Sequence, residues 1–170
     1  YNQEGLNVNY FKGDLYLPAD WETSHRRSDM WGTLYDTTGT TITGYPIIGF
    51  GNIDGSSPTY RYWTDNGWVN VTSVTPTYDA WHSFEMKMSE DVVHYYIDGQ
   101  FVGSWQFPSS SFFGNVIMQV YNFDDPSLGA SYDPGNEYDA YWDNLETATI
   151  NPVYNVTQDT YHTTIQDAID

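Results

Sequence analysis

Ser83-Phe84-Glu85-Met86-Lys87-Met88 alternates apolar and polar residues without a break, and the stretch after it, Val92 to Trp105, continues in the same manner. Successive side chains of a strand point to opposite faces, so Phe84, Met86 and Met88 line one buried face and Glu85 and Lys87 the other. Val92 to Ile97 and Phe101 to Trp105 flank Asp98-Gly99, a pair that accepts the positive φ values of a tight hairpin turn. Three strands joined in this way, with no helical spacing between them, point to an antiparallel sheet with one buried side.

Working outward, the same signals recur. Leu6 to Leu17 reads as one or two strands with a break at Gly13-Asp14. Trp31 to Asp36 and Tyr45 to Phe50 read as strands. Thr59 to Val74 reads as a hairpin about Asp65-Asn66-Gly67, the Asn-Gly pair supplying positive φ. Gly114 to Tyr121 sets Val116, Met118 and Val120 on one face, and Tyr138 to Ile150 closes the series. About ten strands without βαβ alternation predict an all-β fold, an antiparallel β-sandwich jelly roll. Only the tail differs. Ile165, Ala168 and Ile169 fall at i, i+3 and i+4, predicting a short C-terminal helical segment, and Asn151-Pro152 breaks the strand before it. The reading is therefore a domain over 1–150 and a linker with the start of a further domain over 151–170. The helical pattern runs to the last residue, which predicts that a longer protein continues beyond it.

Composition narrows the function. The 170 residues hold 5 Lys+Arg against 23 Asp+Glu, a net charge of −18, and 18% are aromatic. Such a charge cannot neutralise phosphates or attract anionic lipid headgroups, so nucleic acid and a polybasic membrane contact are excluded as partners. No apolar run approaches the ~18–20 residues of a membrane span, so direct membrane insertion is not expected. The absence of Cys removes disulfides, a thiolate nucleophile and zinc–thiolate sites. Residues 1–87 carry 10 carboxylates and 5 cations, a net of −5, and residues 88–170 carry 13 carboxylates and no Lys or Arg, a net of −13.

Two segments carry a resemblance. Trp81-His82-Ser83-Phe84-Glu85-Met86 is followed by Tyr95-Tyr96-Ile97-Asp98-Gly99-Gln100-Phe101-Val102-Gly103, and Tyr138-Asp139-Ala140-Tyr141-Trp142-Asp143-Asn144-Leu145 has the form of a closing strand. In order and spacing they resemble the laminin G-like branch of the concanavalin A-like lectin/glucanase superfamily. The resemblance implies a jelly roll over 1–150 that binds carbohydrate, with Trp81 and Trp142 in its core, and such domains often bind Ca²⁺ at loop ends. The tail, Tyr161 to Asp170, resembles the N-terminal cap of a pectate-lyase-like right-handed β-helix. That implies a module of a larger adhesin or polysaccharide-processing protein, extracellular or at the cell surface, with a glycan or a surface protein as partner.

Catalytic patterns are sparse. Glycoside hydrolysis needs two carboxylates facing one cleft. The E-x-D-x-(x)-E triplet of glucanases on this fold is missing, and Glu85 and Glu90 are five apart, which places them on opposite faces of a strand. Tyr10 to Tyr16 is superficially similar to a motif of alginate lyases, without their Arg-x-Glu and Gln-x-His partners. His25, His82, His94 and His162 join no metal or hydrolase motif, and no Gly-x-Ser-x-Gly elbow occurs.

Binding residues are more plentiful. Sugar rings present C–H faces to flat aromatics and hydroxyls to polar groups. Tyr60, Arg61, Tyr62, Trp63 and Trp68 form the densest such cluster, with Tyr60 and Tyr62 on one face and Arg61 and Trp63 on the other. Trp21, Trp31 and Trp105 are further candidates. Between Asn122 and Glu146 lie seven carboxylates and no cation, and oxygen-rich loops of this kind suit Ca²⁺. The candidate ligands are Asp124, Asp125, Asp133, Glu137, Asp139 and Asp143. The sequons Asn70-Val71-Thr72 and Asn155-Val156-Thr157 agree with an extracellular protein. The expectation is a non-catalytic carbohydrate-binding or adhesion module, with a glycoside hydrolase or lyase and a structural spacer as alternatives.

Overall fold

A computed structural model describes residues 1–150 and the strand pair at 153–155 and 160–162. Its strands in chain order are β1 (Asn2–Gln3), β2 (Tyr10–Leu17), β3 (Arg26–Tyr35), β4 (Ile42–Gly44), β5 (Ile47–Asn52), β6 (Thr59–Thr64), β7 (Gly67–Asn70), β8 (Ala80–Ser89), β9 (Val92–Ile97), β10 (Gln100–Gln106), β11 (Phe112–Val120), β12 (Tyr141–Ala148), β13 (Val153–Asn155) and β14 (Thr160–His162). Two antiparallel sheets make the sandwich. The larger runs β1-β11-β3-β5-β6-β7, with β4 also paired to β3, and the smaller runs β10-β9-β8-β2-β12. β13 and β14 pair with each other. The helical segment expected at 164–170, and with it the likeness to a β-helix cap, lies outside the described residues.

Alternation in each strand builds the core. Phe11, Leu15 and Leu17 of β2, Phe84, Met86 and Met88 of β8, and Val93, Tyr95 and Ile97 of β9 face inward from the smaller sheet. They meet Met30 and Leu34 of β3, Ile48 and Phe50 of β5, Tyr60 of β6, and Phe113, Val116 and Met118 of β11. Burying aromatic side chains here removes on the order of 150–250 Å² of each from water, which makes them the main stabilising contribution.

The turns refine the sequence reading. Asp98 and Gly99 have φ of 51° and 76°, as a two-residue turn with positive φ at both positions requires. In the β6–β7 hairpin the positive φ falls on Gly67, at 112°, and not on Asn66, so that hairpin closes on its glycine. β2 is unbroken through Gly13, contrary to the expected interruption. Gly13 faces the core, and a Cβ there would stand 2.5 Å from Met118 Cε, so the glycine makes room for a neighbour instead of ending the strand.

β3 starts at Arg26, five residues before the expected Trp31. Its outward Arg27 and Asp29 pair with each other, so a segment that looks like a charged loop is a strand. Trp142 packs against the core and donates from Nε1 to Ser28 Oγ at 2.9 Å. Trp81, expected inside, is 50% exposed, because the buried face of β8 is the one carrying His82, Phe84 and Met86.

Candidate functional site

The site lies on the outer face of the larger sheet, where three cross-strand rows decide its shape. Residues directly opposite in an antiparallel pair share a face. In the first row Trp31 of β3 faces Ile47 of β5, and Trp63 of β6 faces Trp68 of β7. In the second row Gln119, Asp29, Gly49, Arg61 and Asn70 follow one another across β11, β3, β5, β6 and β7. In the third, Arg27 faces Gly51, which faces Thr59. Two glycines thus occupy the outer positions in the middle of β5.

Their lack of side chains is what lets charged groups lie flat on the sheet. A Cβ on Gly49 would stand 2.3 Å from Ser28 O and 2.8 Å from Asp29 Oδ1, and one on Gly51 would stand 2.8 Å from Arg61 Cζ and Nε. Asp29 is fully buried in this space. Arg27 Nε donates to its Oδ2, and Arg61 Nη2 lies 3.9 Å from its Oδ1. Burial pushes the Asp29 carboxyl above the usual carboxylate range against the pull of Arg27 and Arg61. Burial likewise draws Arg61 down to about 10, which leaves it charged at neutral pH. The Nε and Nη2 of Arg61 and the Nε1 of Trp31 are buried with no hydrogen-bond partner among the described residues.

Aromatic rings complete the construction. The Arg61 guanidinium lies 4.0 Å from the centroid of the Trp68 ring, and that of Arg27 lies 5.0 Å from Trp68 and 4.5 Å from Tyr121. Trp63 and Trp68 meet edge to face at 5.4 Å. Arg27 is positioned from below by Tyr138. The Tyr138 hydroxyl sits 2.8 Å from the Arg27 carbonyl and 2.7 Å from that of Tyr121, and accepts from both amides. The result is a cleft of about 360 Å³ lined by Arg27, Trp31, Tyr45, Ile47, Trp63 and Trp68. No carboxylate is among those residues.

Four of the residues chosen from sequence (Trp31, Arg61, Trp63 and Trp68) therefore come together. The others do not. Tyr60 is wholly buried between Phe50, His82 and Phe84 and can meet no ligand. Tyr62 faces the opposite sheet and stacks on Tyr95 at 4.7 Å. Trp105 packs against the core from the smaller sheet, and Trp21 is buried against Phe50 and Tyr138. For Tyr60, Tyr62 and Trp105 these are corrections with one cause, that an aromatic in a sandwich strand has two faces to choose from and the core takes one, while Trp21 lies in the short helical turn Ala19–Glu22. Sequence reasoning missed Arg27, Asp29, Gly49 and Gly51. The signal was present in Ile47-Ile48-Gly49-Phe50-Gly51, where glycines alternate with large apolar residues on one strand.

The six acidic candidates are dispersed. Asp133 is held by His25 at 3.1 Å and by Asn136 at 2.9 Å, and Asp125 accepts from Ser127 N at 2.9 Å as a cap of the short helical turn after it. Asp124, Glu137 and Asp139 are exposed, and Asp143 lies across β12 from Asp14 of β2. Among the described residues no three of His, Asp or Glu gather into a set that could hold a metal ion, so the donors present do not form a Ca²⁺ cage. Instead the acidic loop docks on the basic segment His25-Arg26-Arg27. Arg26 reaches both Asp20, at 2.8 Å, and Asn136, at 2.7 Å.

A wider hollow of about 680 Å³ has Asp36, Glu90, Asp91 and Ser109 to Ser111 on its walls. Asp36 is committed there to its own loop. Its Oδ1 accepts from Thr38 Oγ1 at 2.7 Å and from the amides of Thr38, Thr40 and Thr41. The Thr38 hydroxyl, followed by the Thr41 and Thr40 groups, holds its carboxyl down at about 2. A lowered carboxyl stabilises the fold above the ordinary value of 3.8 and loses that contribution as pH falls through about 2. The expected result is an Asp36 carboxyl signal in NMR that titrates near 2. A midpoint at the ordinary carboxylate value would show that the loop bonds are not held in solution.

No family model and no characterised protein matches the sequence. Solved structures do match the fold. A Bacillus licheniformis β-glucanase superposes with a TM-score of 0.52 at 17% identity, over 86% of this chain and 68% of that one. A native glycosidic hydrolase gives 0.53 at 14%, over 84% and 65%, and a tetrameric galectin from the sponge Cinachyrella sp. gives 0.51 at 11%, over 87% and 98%. At these identities the likeness is one of fold, an all-β jelly roll.

Proposed function

We propose that this chain is a carbohydrate-binding module and that the cleft on the outer face of the larger sheet is its site. One observation carries the proposal: indole rings from three strands, Trp31, Trp63 and Trp68, border a hollow edged by the Arg27 guanidinium. Aromatic walls suit the C–H faces of a pyranose, and a planar donor group suits its oxygens. The fold's occurrence in a galectin and in glycoside hydrolases agrees with this use. A hydrolase acting in this cleft would need two carboxylates at its edges. Its lining offers none, and Asp29 beneath it is clamped between Arg27 and Arg61. Binding without hydrolysis is the better fit, in a module of a secreted or surface protein. Among the described residues no helix is long and apolar enough to cross a membrane.

The test is a glycan array on the chain, followed by titration calorimetry of its best ligand. Trp63→Ala is expected to weaken that binding tenfold or more, since a central aromatic of a small interface is worth about 2 kcal/mol. A variant that keeps its melting temperature and full affinity would place the site elsewhere, and an array with no binder would favour a spacer role.

A further inference from the structure

We infer that the glycan this cleft takes is acidic, with a carboxylate-bearing sugar unit seated against Arg27; the inference rests on the cleft being a carbohydrate site. Arg27 leaves part of its guanidinium unused. Its Nε is spent on Asp29, while its two terminal nitrogens make no hydrogen bond among the described residues. The guanidinium carbon lies over the Tyr121 ring at 4.5 Å and over the Trp68 ring at 5.0 Å, and its remaining N–H groups point along its own plane. A guanidinium fixed by stacking and by one carboxylate is a preformed fork, and a fork of two N–H donors matches the two oxygens of a carboxylate.

Charge points the same way. Two guanidinium groups, Arg27 and Arg61, share one carboxylate, Asp29, so the floor carries one positive charge in excess within a molecule of net −18. The buried polar atoms without partners beside the cleft are three donors, Nε and Nη2 of Arg61 and Nε1 of Trp31, against one acceptor, Asp29 Oδ1. A neutral sugar offers hydroxyls, which donate as well as accept. A carboxylate only accepts, and it also cancels the excess charge. The cleft lining holds no carboxylate, and at about 0.15 M salt exposed charges beyond ~8 Å are largely screened. Acidity elsewhere then acts as a filter: the molecule repels anionic chains generally and accepts a carboxylate at one place. The indole walls hold the ring, and Arg27 reads its substituent.

The experiment uses matched pairs at about 0.15 M salt: glucuronate against glucose, galacturonate against galactose and mannuronate against mannose oligomers, together with sialyllactose against lactose. Wild-type protein is expected to bind the acidic member of at least one pair roughly tenfold or more tightly than its neutral partner, the effect of one charge-assisted bidentate contact. Arg27→Lys keeps the charge and loses the fork, so it is expected to reduce that preference severalfold. Comparison of the pairs on the wild type needs no variant and stands even if Arg27→Lys folds poorly. Equal or tighter binding of the neutral members would overturn the acidic preference while leaving the carbohydrate site standing. Binding of no member of any pair, neutral or acidic, would overturn the carbohydrate reading and this inference with it.

Discussion

Replacing Asp29 by Ala is expected to destabilise the protein by about 3–5 kcal/mol, the usual cost of breaking a buried ion pair by removing one partner. Asp29 is wholly buried on the outer face of β3, and it is the carboxylate on which Arg27 and Arg61 converge. Without it two guanidinium groups, both nearly buried themselves, share a pocket between Trp68 and Tyr121 with no counter-charge. Asp29→Asn keeps the shape and one acceptor oxygen and should cost less than the alanine change. Urea unfolding of the three proteins measures both effects. An Asp29→Ala midpoint shift equivalent to less than about 1 kcal/mol would show that the pair is solvated in solution and that the cleft floor is not the preformed structure described above.

Gly49→Ala should cost about 3 kcal/mol, the upper part of the range for overpacking, and should abolish glycan binding as well. An added methyl group usually meets flexible side chains that can yield. Here it meets backbone, 2.3 Å from Ser28 O and 2.7 Å from Asp29 Cα, on a strand held from both sides by β3 and β6. Relief requires β5 to move away from β3, which carries Asp29 out from under Arg61 and opens the floor. Thermal melting and calorimetry together check this result. A variant with unchanged melting temperature and affinity would mean that β5 stands further from β3 than described. Gly13→Ala is an informative contrast, since its Cβ would meet Met118 Cε, the end of a flexible side chain in the core, far from the cleft row. It should lower stability and leave affinity nearly intact.

The legible part of the molecule was the part with local causes. Period-2 alternation in Ser83 to Met88 named the buried face of β8, and Asp98-Gly99 named its hairpin, because a strand's two faces and a turn's φ values depend on neighbouring residues only. Errors arose where a residue's meaning depended on something distant. Gly13 read as a break because glycine punctuates chains, whereas Met118, over a hundred residues on, is what requires it. Arg26 to Met30 lay outside the strand expected from Trp31, whereas Arg61 and Tyr138 hold its charges on a strand. The acidic run after Asn122 read as a cation loop, yet its Asp133 and Asn136 are engaged with His25 and Arg26.

The sequence by itself determined the fold class, the core faces of most strands and the absence of a paired-carboxylate motif. It also supplied Tyr60, Arg61, Tyr62, Trp63 and Trp68 as one cluster, with Arg61 and Trp63 on the face opposite Tyr60 and Tyr62. Tertiary structure alone decided that Arg61, Trp63 and Trp68 share the outer face with Trp31, that Arg27 joins them and that Tyr60, Tyr62 and Trp105 do not. It also decided that two glycines of β5 make room for Asp29 and Arg61 beside the cleft. The physical reason lies in register. A site on a sheet face is assembled across strands, and Gln119, Asp29, Gly49, Arg61 and Asn70 become neighbours only through the pairing order β11-β3-β5-β6-β7. Alternation along any one of those strands says which side a residue faces and nothing about what will stand beside it.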